Sequence, residues 1–546
     1  MNSRTLLISG MGVLLTLAVI TPTSAQKSRV SKVPSYSFSS SLKKQEQELR
    51  ENPLLKRYAE SRKRLDSLDR HRPAYHFISP EGRLNDPNGL CFWKGRWHLF
   101  YQAYPPEDPR QHWGHAVSDD MIHWQDLPLA IYPDPEEKVY SGATLVENDR
   151  VIAAYHGTKF GNIVAISSDP LLLNWDKQDK YPIARVRQKG ETLPYNVFDP
   201  FIWKKGNYYY ALSAGTLPIG PDNKNMPAEF LFRSKDLKEW TYMHPFLENN
   251  YYSLVGDDGA CPYFWPIGDN GKHILLHFSH KSGGTYLIGD YDTKRDKFVV
   301  TDGGNFNHGP CRNGGVHAPS AFPDGKGGVV AIFNMNSGKR IGKDSFSEIM
   351  TLPRLLTLDS LDRLVIQPYG DLESLRKEKT SVGKMDLPAN REIVLSTVSG
   401  NTMELNLEID MMSAPAIELD VLRSPKKQEY TRIIFYRDGG YQDRSRPGKR
   451  INTSAIAIDN SFGSLSDQVR PRVVETADVP MNKGERLKLR VFIDRSVVEV
   501  FVNGRQCIAL RTYPTRDDSQ GVSLRAFGKK ARLMKLDAWQ MDNIYQ

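Results

Sequence analysis

The sequence predicts an all-β chain, a five-bladed β-propeller followed by a C-terminal β-sandwich. Three observations predict it. From Tyr75 to about residue 365, short strands recur after polar or glycine turns, at Arg96–Tyr101, Val151–Tyr155, Asn207–Ala211, His273–Phe278 and Gly328–Phe333. Most are followed by a second element in which an acidic turn leads to an aromatic residue. Ser118-Asp119-Asp120 leads to Trp124, Ser168-Asp169 to Trp175, Ser234-Lys235-Asp236 to Trp240, and more weakly Tyr291-Asp292 to Phe298. The copies lie roughly 55 residues apart, the length of one four-stranded blade. Beyond Val365 the pattern changes to alternating strands without this repeat. A β-sandwich with coincidental Ser-Asp turns is the competing reading of the repeat region.

Taken in order, the chain opens with Arg4, an apolar run from Leu6 to Ile20, and Thr23-Ser24-Ala25-Gln26. A charged start, an apolar stretch and small residues at a cleavage point read as a signal peptide over residues 1–25. An uncleaved anchor is the runner-up, but the run is short for a span. The mature protein is therefore expected to be exported, secreted or periplasmic, with no membrane segment after cleavage. Residues 26–72 read as a polar extension. Its Ser-rich part, 26–40, is expected to be disordered, and 41–70 a surface helix with Leu42, Leu49, Leu54, Leu55 and Leu65 at helical spacing. The propeller is expected over 73–370 and a charged linker over 371–388. The sandwich is expected over 389–546, with strands at Thr402–Ile409, Ile417–Leu422, Thr431–Tyr436, Leu487–Ile493, Val497–Val502 and Gly521–Ala526. Asn503-Gly504 is a hairpin turn, and the Gly- and Arg-rich stretch 437–450 a loop.

Composition narrows the function classes. The chain has 546 residues, 39% hydrophobic and 10% aromatic, enough for large cores. The net charge of +9 invites an anionic partner. Much of that excess lies in 27–72, however, and no basic stripe interleaved with aromatics suggests nucleic-acid binding. Cys91, Cys261, Cys311 and Cys507 form neither a disulfide framework nor a zinc-spaced cluster, and read as small hydrophobes. No metal or organic cofactor is expected, and the oligomeric state is open.

The chemistry centres on Arg83-Leu84-Asn85-Asp86-Pro87-Asn88-Gly89. The residue before a proline is pushed to extended backbone, and Asn88-Gly89 is a strong turn signal. Asp86 is thus a carboxylate held tightly at the start of a strand. In a propeller that start faces the central funnel. As a lone motif it would be only a surface turn with a capping Asp.

The ordered set of motifs is more specific. Tyr75-His76-Phe77 through Asn85-Asp86-Pro87-Asn88-Gly89 resembles the opening of glycoside hydrolase family 32, which holds invertases, levanases and inulinases. The resemblance continues through Phe100-Tyr101-Gln102, Trp113-Gly114-His115, Asp120–Pro128, Tyr140-Ser141-Gly142 and Met350-Thr351-Leu352-Pro353-Arg354. It extends into Arg490–Asn503, and in all covers about 72–546. It implies the same propeller and sandwich. It also implies a hydrolase of β-fructofuranosidic bonds that acts on sucrose or a fructan-type carbohydrate. Cleavage with retention takes two carboxylates roughly 5–5.5 Å apart, one ionised nucleophile and one proton donor. By resemblance Asp86 is the nucleophile. Asp199, in Phe198-Asp199-Pro200, stabilises the transition state, with Phe198 in place of the family's Arg. By resemblance Gln102 and Trp113 line the sugar pocket; Asn85, Ser141, Asp257 and His317 are the other expected substrate-binding residues, with Asp134 considered beside them.

The acid/base is where the sequence departs. The family's Glu-Cys-Pro is matched by Ala260-Cys261-Pro262, and alanine transfers no proton. Asp258 is the expected substitute, with Asp257 beside it. Glu348 or a histidine such as His317 is the second reading. Loss of hydrolysis, leaving a carbohydrate-binding pseudoenzyme, is the third. A hydrolase of another furanoside also stays open, because Phe198 and the loop 308–319 alter the pocket. The glycines of that loop do not open a helix after a strand, which excludes a phosphate cradle.

Overall fold

The computed structural model describes residues 30–306, 315–338, 348–440, 442 and 452–545. The expected signal peptide, residues 307–314 of the His317 loop and most of the stretch 437–450 lie outside them. Five sheets, antiparallel except for the short outer strand Leu247–Glu248 of the fourth, form the blades of a propeller. Their innermost strands are Arg83–Trp93, Val139–Val146, Pro200–Lys205, Ala260–Pro266 and Val316–Pro323. Each packs beside the next, and the fifth packs against the first. The strands predicted from the repeat are the second strand of each blade.

The acidic turn between the third and fourth strands is a local device. In the first blade Asp120 accepts from the backbone N–H groups of Ile122 (2.9 Å) and His123 (2.8 Å), and the Trp124 indole donates to Met121 O (3.1 Å). In the third blade Asp236 accepts from Lys238 and Glu239, both at 2.9 Å, and Trp240 donates to Leu237 O (3.2 Å). Trp175 repeats the indole bond to Leu172 O at 2.8 Å. These Asp turns drive Met121, Leu172 and Leu237 to positive φ and into the core.

Two features aim side chains at the axis. Every innermost strand except the third carries an irregularity near its entry, at Leu84/Pro87, Val139/Gly142, Ala260/Tyr263 and Val316/Pro319. An irregularity of this kind bends the strand and turns side chains out of the regular alternation. Deeper on the axis, the Tyr263 hydroxyl accepts from Gly89 N–H (2.9 Å), donates to Gly142 O (2.8 Å) and meets Ser320 Oγ (2.8 Å), and Ser320 Oγ accepts from Leu90 N–H (2.9 Å). One phenol thus ties four blades together.

A seven-stranded and a six-stranded sheet form the sandwich, around a core of Leu, Ile and Val. It clasps the propeller at the segment entering the first blade. Asp494 accepts from the N–H groups of Ala74 (2.7 Å), Tyr75 (2.9 Å) and His76 (2.9 Å). The buried His76 ring bridges Asp494 (2.8 Å) and Glu499 (3.2 Å), and Glu499 also accepts from Leu352 N–H and Arg354, both at 2.7 Å. Burial pushes the Glu499 carboxyl up, but Arg354 and His76 hold it at about 2. Near the C-terminus, the Tyr545 hydroxyl donates to His76 O (2.9 Å) and accepts from Ile78 N–H (3.0 Å).

Three expectations are corrected. Residues 30–40 are not loose where described. Val33 is buried, Ser31 Oγ meets His112 at 2.7 Å, and Phe38 N–H donates to Asn174 at 2.9 Å. The single expected helix is two, Leu42–Glu51 and Pro53–Leu68. They break at Asn52, whose side chain caps the second by accepting from Leu54 N–H (3.0 Å). The stretch 371–388 is no linker either. Arg376–Val382 is a strand paired with the last strand of the sandwich, and its charges read as linker because one face of an edge strand stays in water.

Candidate active site

At the funnel mouth the strand entries enclose a cavity of about 680 Å³. Asp86 is partly open to it, otherwise surrounded by protein. Its Oδ2 accepts from Ser141 Oγ (2.7 Å) and Gln102 Nε2 (3.1 Å), and its Oδ1 from Asn334 Nδ2 (3.4 Å). Asn334 also donates to Asn85 Oδ1 (2.8 Å), and Asn85 to Gln102 Oε1 (3.3 Å). Three blades therefore fix one carboxylate. Burial raises the Asp86 pKa to about 6, the Ser141 hydrogen bond pulls it down, and the charge of Asp199 pushes it up.

Asp199 enters from the third blade. Its Oδ2 accepts from the backbone N–H of Cys261 (3.1 Å) and lies 3.4 Å from Cys261 Sγ, which lies 3.7 Å from Asp86 Oδ2. Two carboxylates thus converge on one sulfur. Burial raises the Asp199 pKa too, against the Cys261 bonds. Cys261 is not the simple buried hydrophobe expected. It sits at φ 53°, a strained backbone for a non-glycine residue, at the irregularity of the fourth innermost strand.

The fourth-blade wall holds Ala260 where the resemblance places a glutamate. Asp258 lines the cavity beside it. Both its oxygens face His280: Oδ2 is 2.6 Å from the ring Nδ1, and Oδ1 accepts from His280 N–H at 3.3 Å. The hydrogen bond to Asp258 raises the His280 pKa, with the charges of Asp86 and Asp199 acting the same way. His280 and His317 both line the cavity and pack against the Phe278 ring, at 4.8 and 5.1 Å between centroids. Glu348, from the fifth blade, also lines it. Burial and then the charge of Asp86 raise its pKa to about 7.

Asn85, Asp86, Gln102, Asp199, Asp258 and His317 all lie on the cavity wall. Ser141 stands behind Asp86 and reaches it by its hydroxyl. Two expected sugar ligands are not on the wall. Trp113 is fully buried between blades, its indole donating to Tyr140 O at 2.8 Å. Asp257 is turned inward, accepting from Leu254 N–H (2.7 Å) and Ser282 Oγ (2.8 Å). The adjacent Asp pair of the sequence is split by backbone direction, one side chain into the core and the other into the cavity. Asp134 lies off the wall as well.

Sequence reasoning passed over several groups. Asn334 lies in an ordinary apolar strand with no motif around it. His280 ends a strand that carries no signature. Glu229 is fully buried, sits at φ 45°, and has no hydrogen-bond partner on either carboxyl oxygen. Burial, and then the charges of Asp258 and Asp199, raise its pKa well above the usual carboxylate value. Phe198, 55% exposed, stacks at 6.2 Å on His156, which stacks at 5.8 Å on Tyr140. An aromatic staircase thus lines the wall beside Asp199, where Phe198 stands in place of the family's Arg.

Over residues 76–368 the chain matches the glycosyl hydrolases family 32 N-terminal domain, and over 371–540 the family's C-terminal domain. It is 25% identical to a fructan 6-exohydrolase of Beta vulgaris, covering 87% of each chain. It is 25% identical to a levanase of Bacillus subtilis (strain 168), covering 87% of this chain and 71% of the relative. In three dimensions it resembles the crystal structure of fructan 1-exohydrolase IIa from Cichorium intybus. That match has a TM-score of 0.72 and 20% identity, over 87% of this chain and 98% of the other.

Proposed function

The chain belongs to glycosyl hydrolase family 32, and from that premise we propose that it cleaves β-fructofuranosidic bonds by a retaining double displacement. Sucrose or a fructan-type carbohydrate is the substrate class. Its relatives named levanase and fructan 6-exohydrolase support that choice. Asp86 is the nucleophile and attacks the anomeric carbon, and Asp199 holds the sugar and stabilises the oxocarbenium-like transition state. The proton comes from the Asp258 side of the cavity. Export through the N-terminal signal sequence is part of the same proposal.

One observation carries this reading. Asp86 and Asp199, from different blades, bring carboxylate oxygens within 4 Å of the same Cys261 sulfur at the cavity floor. Two carboxylates held so close in a partly dry site raise each other's pKa, and hydrogen bonds to the charged form restore it. The Ser141 hydrogen bond does this for Asp86, with the His280 charge and the Cys261 thiol acting the same way, against burial that takes its pKa to about 6. The Tyr140–His156–Phe198 wall supplies flat apolar surface for the face of a sugar ring.

The test is product release from sucrose, inulin, levan and an aryl β-fructofuranoside, with wild type beside Asp86→Ala. Free fructose from the wild type, reduced at least roughly 10⁴-fold by Asp86→Ala, is the expected result. Ala260 favours one second reading, a carbohydrate-binding protein without turnover. Binding of these sugars with no release from any of them would establish it.

A further inference from the structure

We propose that His280 is the acid/base of this enzyme, giving its Nε2 proton to the leaving oxygen, and that Asp258 is its positioning residue. The inference rests on the family reaction proposed above and replaces Asp258 as the direct donor.

The strand register carries it. In the fourth blade Ala260 pairs with Phe278 on the neighbouring antiparallel strand. Two residues beyond each, toward the cavity, Asp258 and His280 come opposite one another and bond at 2.6 Å. The pair therefore flanks the position that Ala260 leaves without a carboxyl, on the wall that also carries Asp199 and Cys261. Asp258 acts as acceptor toward both His280 nitrogens it meets, the ring Nδ1 and the backbone N–H. With Nδ1 committed to Asp258, a proton passing to substrate leaves from Nε2. The His280 side chain is 60% exposed, within reach of a substrate entering the funnel.

The other carboxyls fit less well. Glu229 is walled off, with its Oε1 so close to Gly259 that a β-carbon there would lie at 2.3 Å. Asp257 faces Ser282. Glu348 comes from the fifth blade, and the charges that act on it most are those of Asp86, Arg83 and Arg511, none of them from the fourth blade.

The steps balance. Asp86 attacks the anomeric carbon, the bond to the leaving oxygen breaks, and that oxygen takes the Nε2 proton of the His280 imidazolium. Neutral His280 then accepts a proton from water as the water oxygen attacks the same carbon. The Asp86 ester breaks, fructose departs, and the imidazolium is restored. Among the described residues, Asp258, Asp86 and Asp199 all favour the protonated His280 ring, against its partial burial.

The experiment compares an aryl β-fructofuranoside, whose phenolate leaves without a proton, with sucrose, whose alkoxide does not. In His280→Gln, kcat/KM on sucrose is expected to fall roughly 100-fold or more, with little loss on the aryl substrate. The alkaline limb of the sucrose pH profile disappears, and azide accelerates the variant by giving fructosyl azide. Asp258→Asn shows a smaller loss on sucrose and an alkaline limb displaced to lower pH. Retained aryl cleavage shows that each variant is folded. Sucrose activity within twofold of wild type in His280→Gln, or the same signature appearing in Glu348→Gln instead, would overturn the assignment. A wild type that cleaves neither substrate would overturn the family reaction itself, and with it this inference.

Discussion

On the first-blade side of the cavity, Asp86 is gripped by Gln102, Ser141 and Asn334, drawn from three blades. On the fourth-blade side, Ala260 carries no functional group, Cys261 is strained, Glu229 is buried without a partner, and Asp258 holds a histidine instead of a substrate. The first side positions its group by over-determination: several donors agree on one carboxylate. The second side positions its pair by strand register, the Asp258–His280 contact and packing on Phe278. A nucleophile must sit within a fraction of an ångström of the reacting carbon, whereas a proton donor works through a mobile hydrogen. The side with the stricter geometric demand has the denser network.

The sharpest way to break this comparison is at Asp86, the proposed nucleophile. Asp86→Ala should abolish cleavage of aryl and natural fructosides alike, by at least roughly 10⁴-fold in each, because no leaving group substitutes for the attacking oxygen. Selective loss on one substrate would mean that the two sides are not divided as described.

The next largest effect is on stability. Gly259 sits at φ 69°, and an added β-carbon would meet Glu229 Oε1 at 2.3 Å. Gly259→Ala should cost about 3 kcal/mol, read as a lower midpoint in urea. The same contact gives a pH test. The folded-state pKa of Glu229 lies well above its unfolded value of 4.5. Between those values the native state binds the extra proton, so its contribution to stability falls as pH rises from 4.5 upward. Glu229→Gln should flatten that decline and leave the protein relatively more stable at alkaline pH. An unchanged slope would show that Glu229 is not the buried acid described.

Ser141→Ala is subtler. Its hydroxyl lowers the Asp86 pKa from burial's full effect to about 6. Its loss should move the acidic limb of kcat/KM upward and reduce activity by roughly tenfold at neutral pH. A limb that stays in place would assign it to another group. The smallest effect is expected at the aromatic wall. Phe198→Ala should raise KM about fivefold with kcat nearly unchanged, because the ring offers stacking surface but touches no reacting atom.

The same contrast explains what could be read from the sequence. Blade repeats are visible because each Asp turn is built within a few residues, as at Asp120 with Trp124 and Asp236 with Trp240. The Asp86 motif is visible because its bend is also local, set by Pro87, Asn88 and Gly89. His280 is invisible because its role depends on a pairing between strands, Ala260 with Phe278, that no short motif encodes. Asp257 and Asp258 look equivalent in the chain, and only the backbone path at Gly256 and Gly259, with φ of 91° and 69°, separates them. The edge strand Arg376–Val382 passed for a linker because exposure on an edge gives the same charges as exposure in a tether.

The clasp at residues 74–79 has a bearing on how the enzyme is made. The segment that leads into the strand of Asp86 is held by Asp494, Glu499 and Tyr545, more than 400 residues later in the chain. A ribosome has therefore produced almost the whole protein before this entry segment gains its partners. Until then the first blade lacks its final anchorage. A chain cut short near its end loses the Tyr545 fastening of the segment that leads into its first blade.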